Sequence, residues 1–114
     1  MKDLDHRDRS KKIASLNDAF RTTLTGGRIM ITAGVAALDE PTRTAVLNEV
    51  RTYTAFTSAN DPYGEHDFGS LSVGGHQFFW KIDYYDPTLT RHTDDAADTR
   101  ATVRVLTIML TEEY

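Results

Sequence analysis

Apolar residues recur at steps of three and four between Ser10 and Leu24, and this spacing predicts an amphipathic helix. A second helix is predicted from Asp39, because a capping side chain precedes Glu40 and Pro41, and proline fits the first helical turn. Each helix is expected to bury one face. The apolar positions that define these faces are Ile13, Leu16, Phe20 and Leu24 in the first helix, and Val46, Val50, Tyr53 and Phe56 in the second.

The remaining apolar segments have the composition of β-strands. Residues 28–33, RIMITA, are short, apolar and β-branched, which predicts a buried strand. Residues 102–110, TVRVLTIML, carry apolar residues on both sides of the alternation, so we expect a central strand rather than an edge. Between them, Gly74 and Gly75 predict a two-residue hairpin turn, because glycine readily adopts the positive φ angles that such turns require.

The turn at Gly74–Gly75 also predicts the pairing of the strands that it joins. Residues on the two strands oppose each other with a fixed offset, which places Gly69 opposite Trp80 and leaves room for the indole ring. The same register places His66 opposite Asp83, close enough for a hydrogen bond between their side chains. His66 and Asp83 are therefore the candidate catalytic residues.

The order of helix, strand, helix and three further strands predicts an α+β two-layer sandwich, with a mainly antiparallel sheet of about four strands and two helices on one face. A length of 114 residues suits a single domain, 1–114. The chain has no cysteine, which excludes disulfides and thiolate catalysis. No apolar run approaches the roughly 20 residues that cross a bilayer, and the charged N-terminus does not resemble a signal peptide. We therefore expect a cytoplasmic protein without membrane contact.

Charge is distributed unevenly along the chain, whose formal net charge is −4. Residues 1–28 carry seven Lys or Arg and four Asp or Glu, whereas residues 29–114 carry six and thirteen, a net of −7. An acidic surface suits a basic protein partner and disfavours direct contact with nucleic-acid phosphates. The simpler interpretation is that the acidic residues only keep the protein soluble.

The segment Glu65-His66-Asp67 suggests metal ligands or an acid–base pair. Alternation along a strand places His66 on one face and both carboxylates on the other, so we predict no metal site and no cofactor. A small hydrolase or metal-dependent enzyme would centre on Asp61, Glu65, His66, Asp67 and Asp83. No nucleophile elbow lies near this group, and a plain surface pair of His66 and Asp83 is the alternative.

Two features favour a binding surface instead. Phe79 and Tyr85 share the polar sheet face with Lys81, and exposed aromatic residues beside charges are typical of interface hot spots. Residues 87–101 form a long connection rich in Asp and Thr, of the kind that is usually mobile or functional. The candidate binding residues are Phe79, Lys81, Asp83, Tyr85, Asp86, Asp94, Asp95 and Asp98.

The chain resembles a small family of uncharacterised bacterial domains of unknown function, which are often carried on plasmids and other mobile elements of proteobacteria. The resemblance runs nearly end to end and rests on LNDAFR (16–21), TAGVAAL (32–38), NDPYGEHDFG (60–69), FFWKIDYYD (78–86) and VLTIMLTEEY (105–114). It implies no reaction and no catalytic residue. The mobile-element setting implies a protein that interferes with a host or rival system, such as an inhibitor of CRISPR or restriction complexes.

We therefore expect a non-enzymatic protein-binding module, with an inhibitor or antidefence protein as its specific form. A small hydrolase or metal-dependent enzyme is the alternative. A DNA-binding accessory protein that uses the basic N-terminal helix ranks third. The sequence predicts neither the identity of the partner nor the oligomeric state.

Overall fold

The computed structural model describes residues 6–114, so the first five residues of the predicted domain 1–114 lie outside it. The helices are α1 (His6–Thr23), α2 (Ala33–Ala36) and α3 (Glu40–Arg51). The strands are β1 (Gly27–Ile31), β2 (Phe68–Val73), β3 (His76–Tyr85) and β4 (Val103–Leu110), and a 3₁₀ turn follows at Thr111–Glu113.

The four strands form one mixed sheet in the order β1-β4-β3-β2. The β2–β3 and β3–β4 pairs are antiparallel, whereas β1 runs parallel to β4. The predicted α+β class is confirmed, and β4 is a central strand, as its apolar composition on both faces predicts.

The hairpin between β2 and β3 has the predicted turn and register. Gly74 and Gly75 have φ angles of 58° and 80°, the positive values that a type I′ turn requires. Gly69 pairs with Trp80. A Cβ atom at Gly69 would lie 2.7 Å from Trp80 Cε2 and 2.8 Å from Tyr53 Cζ, so the absence of a side chain is what admits the indole ring.

The core lies between one face of the sheet and the helices. Asp39 caps α3 by accepting a hydrogen bond from the Thr42 backbone N–H, and this helix buries Val46 and Val50. Helix α1 contributes Ile13 and Phe20 to the same cluster. The sheet contributes Phe78, Trp80, Ile82, Leu106 and Ile108. Within residues 6–114, no helix has the length and apolar character to span a membrane.

The prediction that residues 28–33 form a buried strand is wrong. All five residues of β1 are exposed, with 38% exposure at Ile29, 54% at Met30 and 45% at Ile31. The physical reason is its position, because among the strands of residues 6–114 β1 pairs only with β4 and lies at one edge of the sheet. Its apolar composition therefore reflects a surface and not the core.

Candidate functional site

The face of the sheet opposite the helices, called the open face below, carries the candidate residues of β3. Alternation along β3 buries Phe78, Trp80, Ile82 and Tyr84 against the helices and leaves the intervening residues only partly buried. Phe79, Lys81, Asp83 and Tyr85 thus share the open face, as the register predicts. Lys81 Nζ lies 2.9 Å from an oxygen of Asp83, and this hydrogen bond raises the pKa of Lys81.

Three aromatic rings, called the aromatic cluster below, meet on the open face. The ring of Phe79 lies 5.1 Å from that of Phe68 and 5.4 Å from that of Tyr114, centroid to centroid. Tyr114 is 79% exposed and the two phenylalanines are half-buried, so the cluster presents the phenol ring and part of each phenyl ring to solvent. Sequence reasoning missed Tyr114 because its position depends on the turn after β4.

Glu113 fixes that turn. Its carboxylate accepts hydrogen bonds from Thr32 Oγ1 at 2.6 Å, from the Leu110 backbone N–H at 2.9 Å and from the Gly34 backbone N–H at 3.0 Å. The hydrogen bond from Thr32 is the main reason that the pKa of Glu113 lies below its ordinary value. The C-terminal turn is therefore tied to the start of α2, and Tyr114 is held beside Phe79.

Beside the aromatic cluster, the open face has a cavity of about 360 Å³. Charged and apolar side chains line it together, namely Arg28, Met30, Lys81, Asp83, Tyr85 and Leu89, with Val105 and Thr107. Mixed surfaces of this kind provide both apolar area and directional contacts for a partner.

The predicted pairing of His66 with Asp83 is wrong. Strand β2 begins at Phe68, and His66 has a φ angle of 56°, a left-handed conformation that interrupts the alternation before the strand starts. Its ring therefore faces α1, where Nδ1 lies 3.0 Å from both carboxylate oxygens of Asp18. Asp83 faces the other side of the sheet and pairs with Lys81.

His66 has a second carboxylate and an aromatic ring for neighbours. Nε2 lies 3.8 Å from Asp61 Oδ2, and the Asp61 carboxylate also accepts the His66 backbone N–H. The imidazole is stacked on Phe56 with a centroid distance of 4.0 Å. A cavity of about 570 Å³ opens beside it, with Asp18, Arg21, Phe56 and His66 in its wall. Because both ring nitrogens face carboxylates, the imidazole is placed as a link between α1 and the 61–66 segment.

A buried polar network lies behind this site. Asn17 is fully buried; its amide donates to Tyr84 Oη at 2.8 Å and to the Glu65 backbone carbonyl at 2.9 Å, and its Oδ1 accepts from Arg104 Nε at 2.7 Å. Arg104 also donates to the Ala96 carbonyl. Burial raises the pKa of Tyr84 and lowers that of Arg104. The signal that could have revealed Asn17 is its place on the buried stripe of α1, four residues after Ile13.

Arg21 is the second polar residue on the buried stripe of α1. It donates to the Val50 and Tyr53 carbonyls, both at 2.8 Å, and its Nη2 lies 2.8 Å from Asp18 Oδ1. Its guanidinium carbon lies 4.9 Å from the centroid of the Trp80 ring, within cation–π range. Arg21 thus closes the C-terminal end of α3 and orients Asp18 toward His66.

The other acidic residues of the predicted enzyme site do not converge. Glu65 accepts a hydrogen bond from Tyr84 Oη at 2.9 Å. Asp67 lies in a separate cavity of about 240 Å³, where burial first and the nearby Glu65 second raise its pKa to about 6. Within residues 6–114, no group of three or more His, Asp or Glu side chains is arranged to hold a metal ion.

The 87–101 connection is packed against the core, contrary to the expectation of a mobile loop. Ala96 and Ala97 belong to the hydrophobic cluster, and Thr93 is buried. Asp95 forms an ion pair with Arg9 and accepts the Ala97 backbone N–H. The remaining candidate acids of this region are Asp86, which accepts from Thr88 and Thr90, Asp94, which is exposed, and Asp98, which accepts the Arg100 backbone N–H.

Comparison with known proteins identifies a family and no described activity. Residues 31–113 match the model of a family described as "Protein of unknown function (DUF3768)". The match covers more than half of the chain and includes α2, α3, β2 to β4 and the C-terminal turn, but only the last residue of β1 and none of α1. No curated protein and no solved structure matches the chain.

Proposed function

We propose that this chain, which belongs to the DUF3768 family of proteins of unknown function, is a non-enzymatic protein-binding module. It meets its partner through the open face. The observation that carries the proposal is the aromatic cluster of Phe68, Phe79 and Tyr114 on a sheet face whose opposite side holds the helices. Tyrosine and other aromatic residues supply large contact areas at low entropic cost and dominate many interfaces.

The charges support a basic partner. The part of the chain from residue 29 onward has a net charge of −7, and Asp94 and Asp98 are exposed on the surface of the 86–101 region. Complementary charge accelerates association and discriminates against acidic partners. Inhibition of a basic, nucleic-acid-handling defence complex in the cytoplasm is the specific form of the function that we propose.

The experiment compares two exposed tyrosines. Tyr114 is 79% exposed in the aromatic cluster, and Tyr63 is 73% exposed in the turn before β2, so Tyr63→Ala is a matched control for Tyr114→Ala. A partner captured by wild-type protein from host cells would be purified, and its affinity for each variant measured by calorimetry. We expect Tyr114→Ala to weaken binding at least about tenfold, or roughly 1.4 kcal/mol, and Tyr63→Ala to have little effect. Equal affinity for both variants would contradict the proposal.

A small hydrolase is the second candidate, and one observation favours it. The Asp18–His66 pair borders the 570 Å³ cavity, and the side chains of Arg21 and Arg51 also line it. An imidazole oriented by a carboxylate can serve as a general base. The discriminating measurement is hydrolysis of a panel of phosphate and carboxylate esters by wild type and His66→Gln; turnover that His66→Gln abolishes would replace the binding proposal.

A further inference from the structure

The cavity beside His66 has the size and composition of a small-molecule site. Its volume of about 570 Å³ lies within the range of roughly 300–1,000 Å³ that ligand pockets occupy. Its walls come from the C-terminal ends of α1 and α3, the segment that follows α3, and His66 itself. Aromatic rings, threonine hydroxyls and arginine side chains line it together, which is the mixture that orients a ligand within an apolar pocket.

Two arginines in the wall have N–H groups that no acceptor of residues 6–114 engages. Arg21 is 3% exposed, and its Nε–H has no hydrogen-bond partner, although both of its Nη atoms are bonded. Buried donors without a partner are rare in folded proteins and can mark a position that a bound water, ion or ligand completes. Arg51 donates through Nε to the Thr22 carbonyl at 3.0 Å, and the described chain provides no acceptor for its Nη groups.

The charges of the cavity wall leave a positive excess in an otherwise acidic protein. Asp18 is the only carboxylate that the described residues contribute to this wall, and it is already bonded to Arg21 and His66. Arg51 has no ion-pair partner in the same part of the chain. Free guanidinium N–H groups beside an uncompensated positive charge favour an anionic ligand.

The imidazole of His66 provides a stacking surface in the same cavity. Phe56 covers one of its faces in a parallel stack with a centroid distance of 4.0 Å. No second ring from residues 6–114 stacks on the imidazole, and the His66 side chain is 31% exposed where it lines the cavity. A planar group of a ligand can therefore stack on the free face and extend the pair by one ring.

We propose that this cavity binds a small organic anion that carries a planar ring, with a carboxylate or a phosphate as its charged group. The ring stacks on the free face of His66. The charged group accepts hydrogen bonds from the Nη groups of Arg51, whose planar fork matches the oxygens of carboxylate and phosphate. The site is independent of the partner proposed for the open face, and binding requires no turnover of the ligand.

Calorimetric titration of the complete chain tests the class of ligand. The probes are two anions with a planar ring, adenosine monophosphate and 2-naphthoate, and their uncharged counterparts, adenosine and 2-naphthylmethanol. We expect at least one anion to bind with a dissociation constant of roughly 0.1–1 mM, and its uncharged counterpart to bind at least about tenfold more weakly. The anion that binds more tightly identifies the charged group as phosphate or carboxylate. Binding of neither anion, or equal affinity for an anion and its counterpart, would overturn the proposal.

Amide NMR spectra of the wild type locate the site. The bound anion should shift the signals of residues 18–22, 51–56 and 66, which form the cavity wall, and leave those of Phe79 and Tyr85 on the open face unchanged. Shifts confined to residues outside the cavity wall would contradict the assignment.

A pair of charge variants tests the role of Arg51. Arg51→Gln should weaken binding of the anion at least about tenfold, because the guanidinium fork is lost. Arg100→Gln removes the same charge at another exposed position and should change the affinity by less than about twofold, since solvent and salt screen distant charges. Thermal melting confirms that both variants fold. Equal effects of the two substitutions would overturn the proposal.

Discussion

At the scale of single residues, His66 links helix α1 to the connection between α3 and β2. Its ring contacts Asp18 of α1 and stacks on Phe56, and its backbone N–H donates a hydrogen bond to the Asp61 carboxylate. Sequence alternation placed it on the other face of the sheet, because that reasoning assumes an extended backbone and the φ angle of His66 is positive. Its role in the fold is to hold α1 against the loop before β2.

We therefore predict that His66→Ala lowers the free energy of unfolding by about 1–2 kcal/mol, because a hydrogen bond to a charged group and a ring contact are lost. His76→Ala is the control, since His76 is exposed beside the hairpin turn. Urea denaturation of both variants provides the measurement. A loss no larger for His66→Ala than for His76→Ala would show that the ring does not support the fold.

Asp67 predicts a dependence of stability on pH. Its pKa rises from 3.8 to about 6 on folding, so the folded protein binds the proton more tightly than the unfolded chain. Stability from this group is therefore greatest below pH 4 and is lost as the pH rises from about 4 to 6. The shift corresponds to at most about 3 kcal/mol, and partial exposure of the carboxylate reduces this to about 1–2 kcal/mol.

Asp67→Asn should accordingly raise the free energy of unfolding at pH 7.5 by about 1–2 kcal/mol and have little effect at pH 4. The variant keeps the backbone carbonyl that accepts the Ile82 N–H, so the start of β2 is not altered. Urea titrations of wild type and variant at pH 4, 5, 6 and 7.5 test this directly. Equal stabilisation at every pH would show that Asp67 titrates at its ordinary value.

At the scale of secondary-structure elements, the 86–101 region contributes both surface charge and core packing. Asp94 and Asp95 are adjacent but have different roles, since Asp94 is exposed whereas Asp95 bonds to Arg9 and to the Ala97 N–H. Ala97 lies in the core, so the turn that Asp95 stabilises positions a buried residue. Charge reversal in this region therefore affects the stability of the fold at some positions and not at others.

We predict that Asp95→Lys lowers the free energy of unfolding by about 1–2 kcal/mol, because the turn loses its acceptor and Arg9 meets a like charge. Asp94→Lys should change it by less than about 0.5 kcal/mol, as is usual for exposed positions. Thermal and urea unfolding of the two variants distinguish the cases. Equal effects would mean that the turn at Asp95 does not contribute to packing.

At the scale of the whole molecule, the sequence predicted those features that local chemistry determines. The Gly74–Gly75 turn specified the β2–β3 register, and apolar residues on both sides of β4 specified its central position. The sequence did not predict the pairing of His66 with Asp18, because the two residues lie 48 positions apart and their contact depends on how α1 packs against the sheet. The exposure of β1 was missed for a related reason, since composition does not distinguish a buried strand from an apolar edge.

The polar network around Asn17 and Arg104 has a consequence for how the chain folds. Apolar helix faces tolerate sliding, because one aliphatic contact substitutes for another, whereas directional bonds do not. A helix α1 displaced by one turn would leave the Arg104 guanidinium buried without Asn17 Oδ1, at a cost of several kcal/mol. Arrangements with a displaced α1 are therefore higher in free energy than the native one. The network thus makes one register of α1 on the sheet more stable than its neighbours, which apolar packing alone would not do.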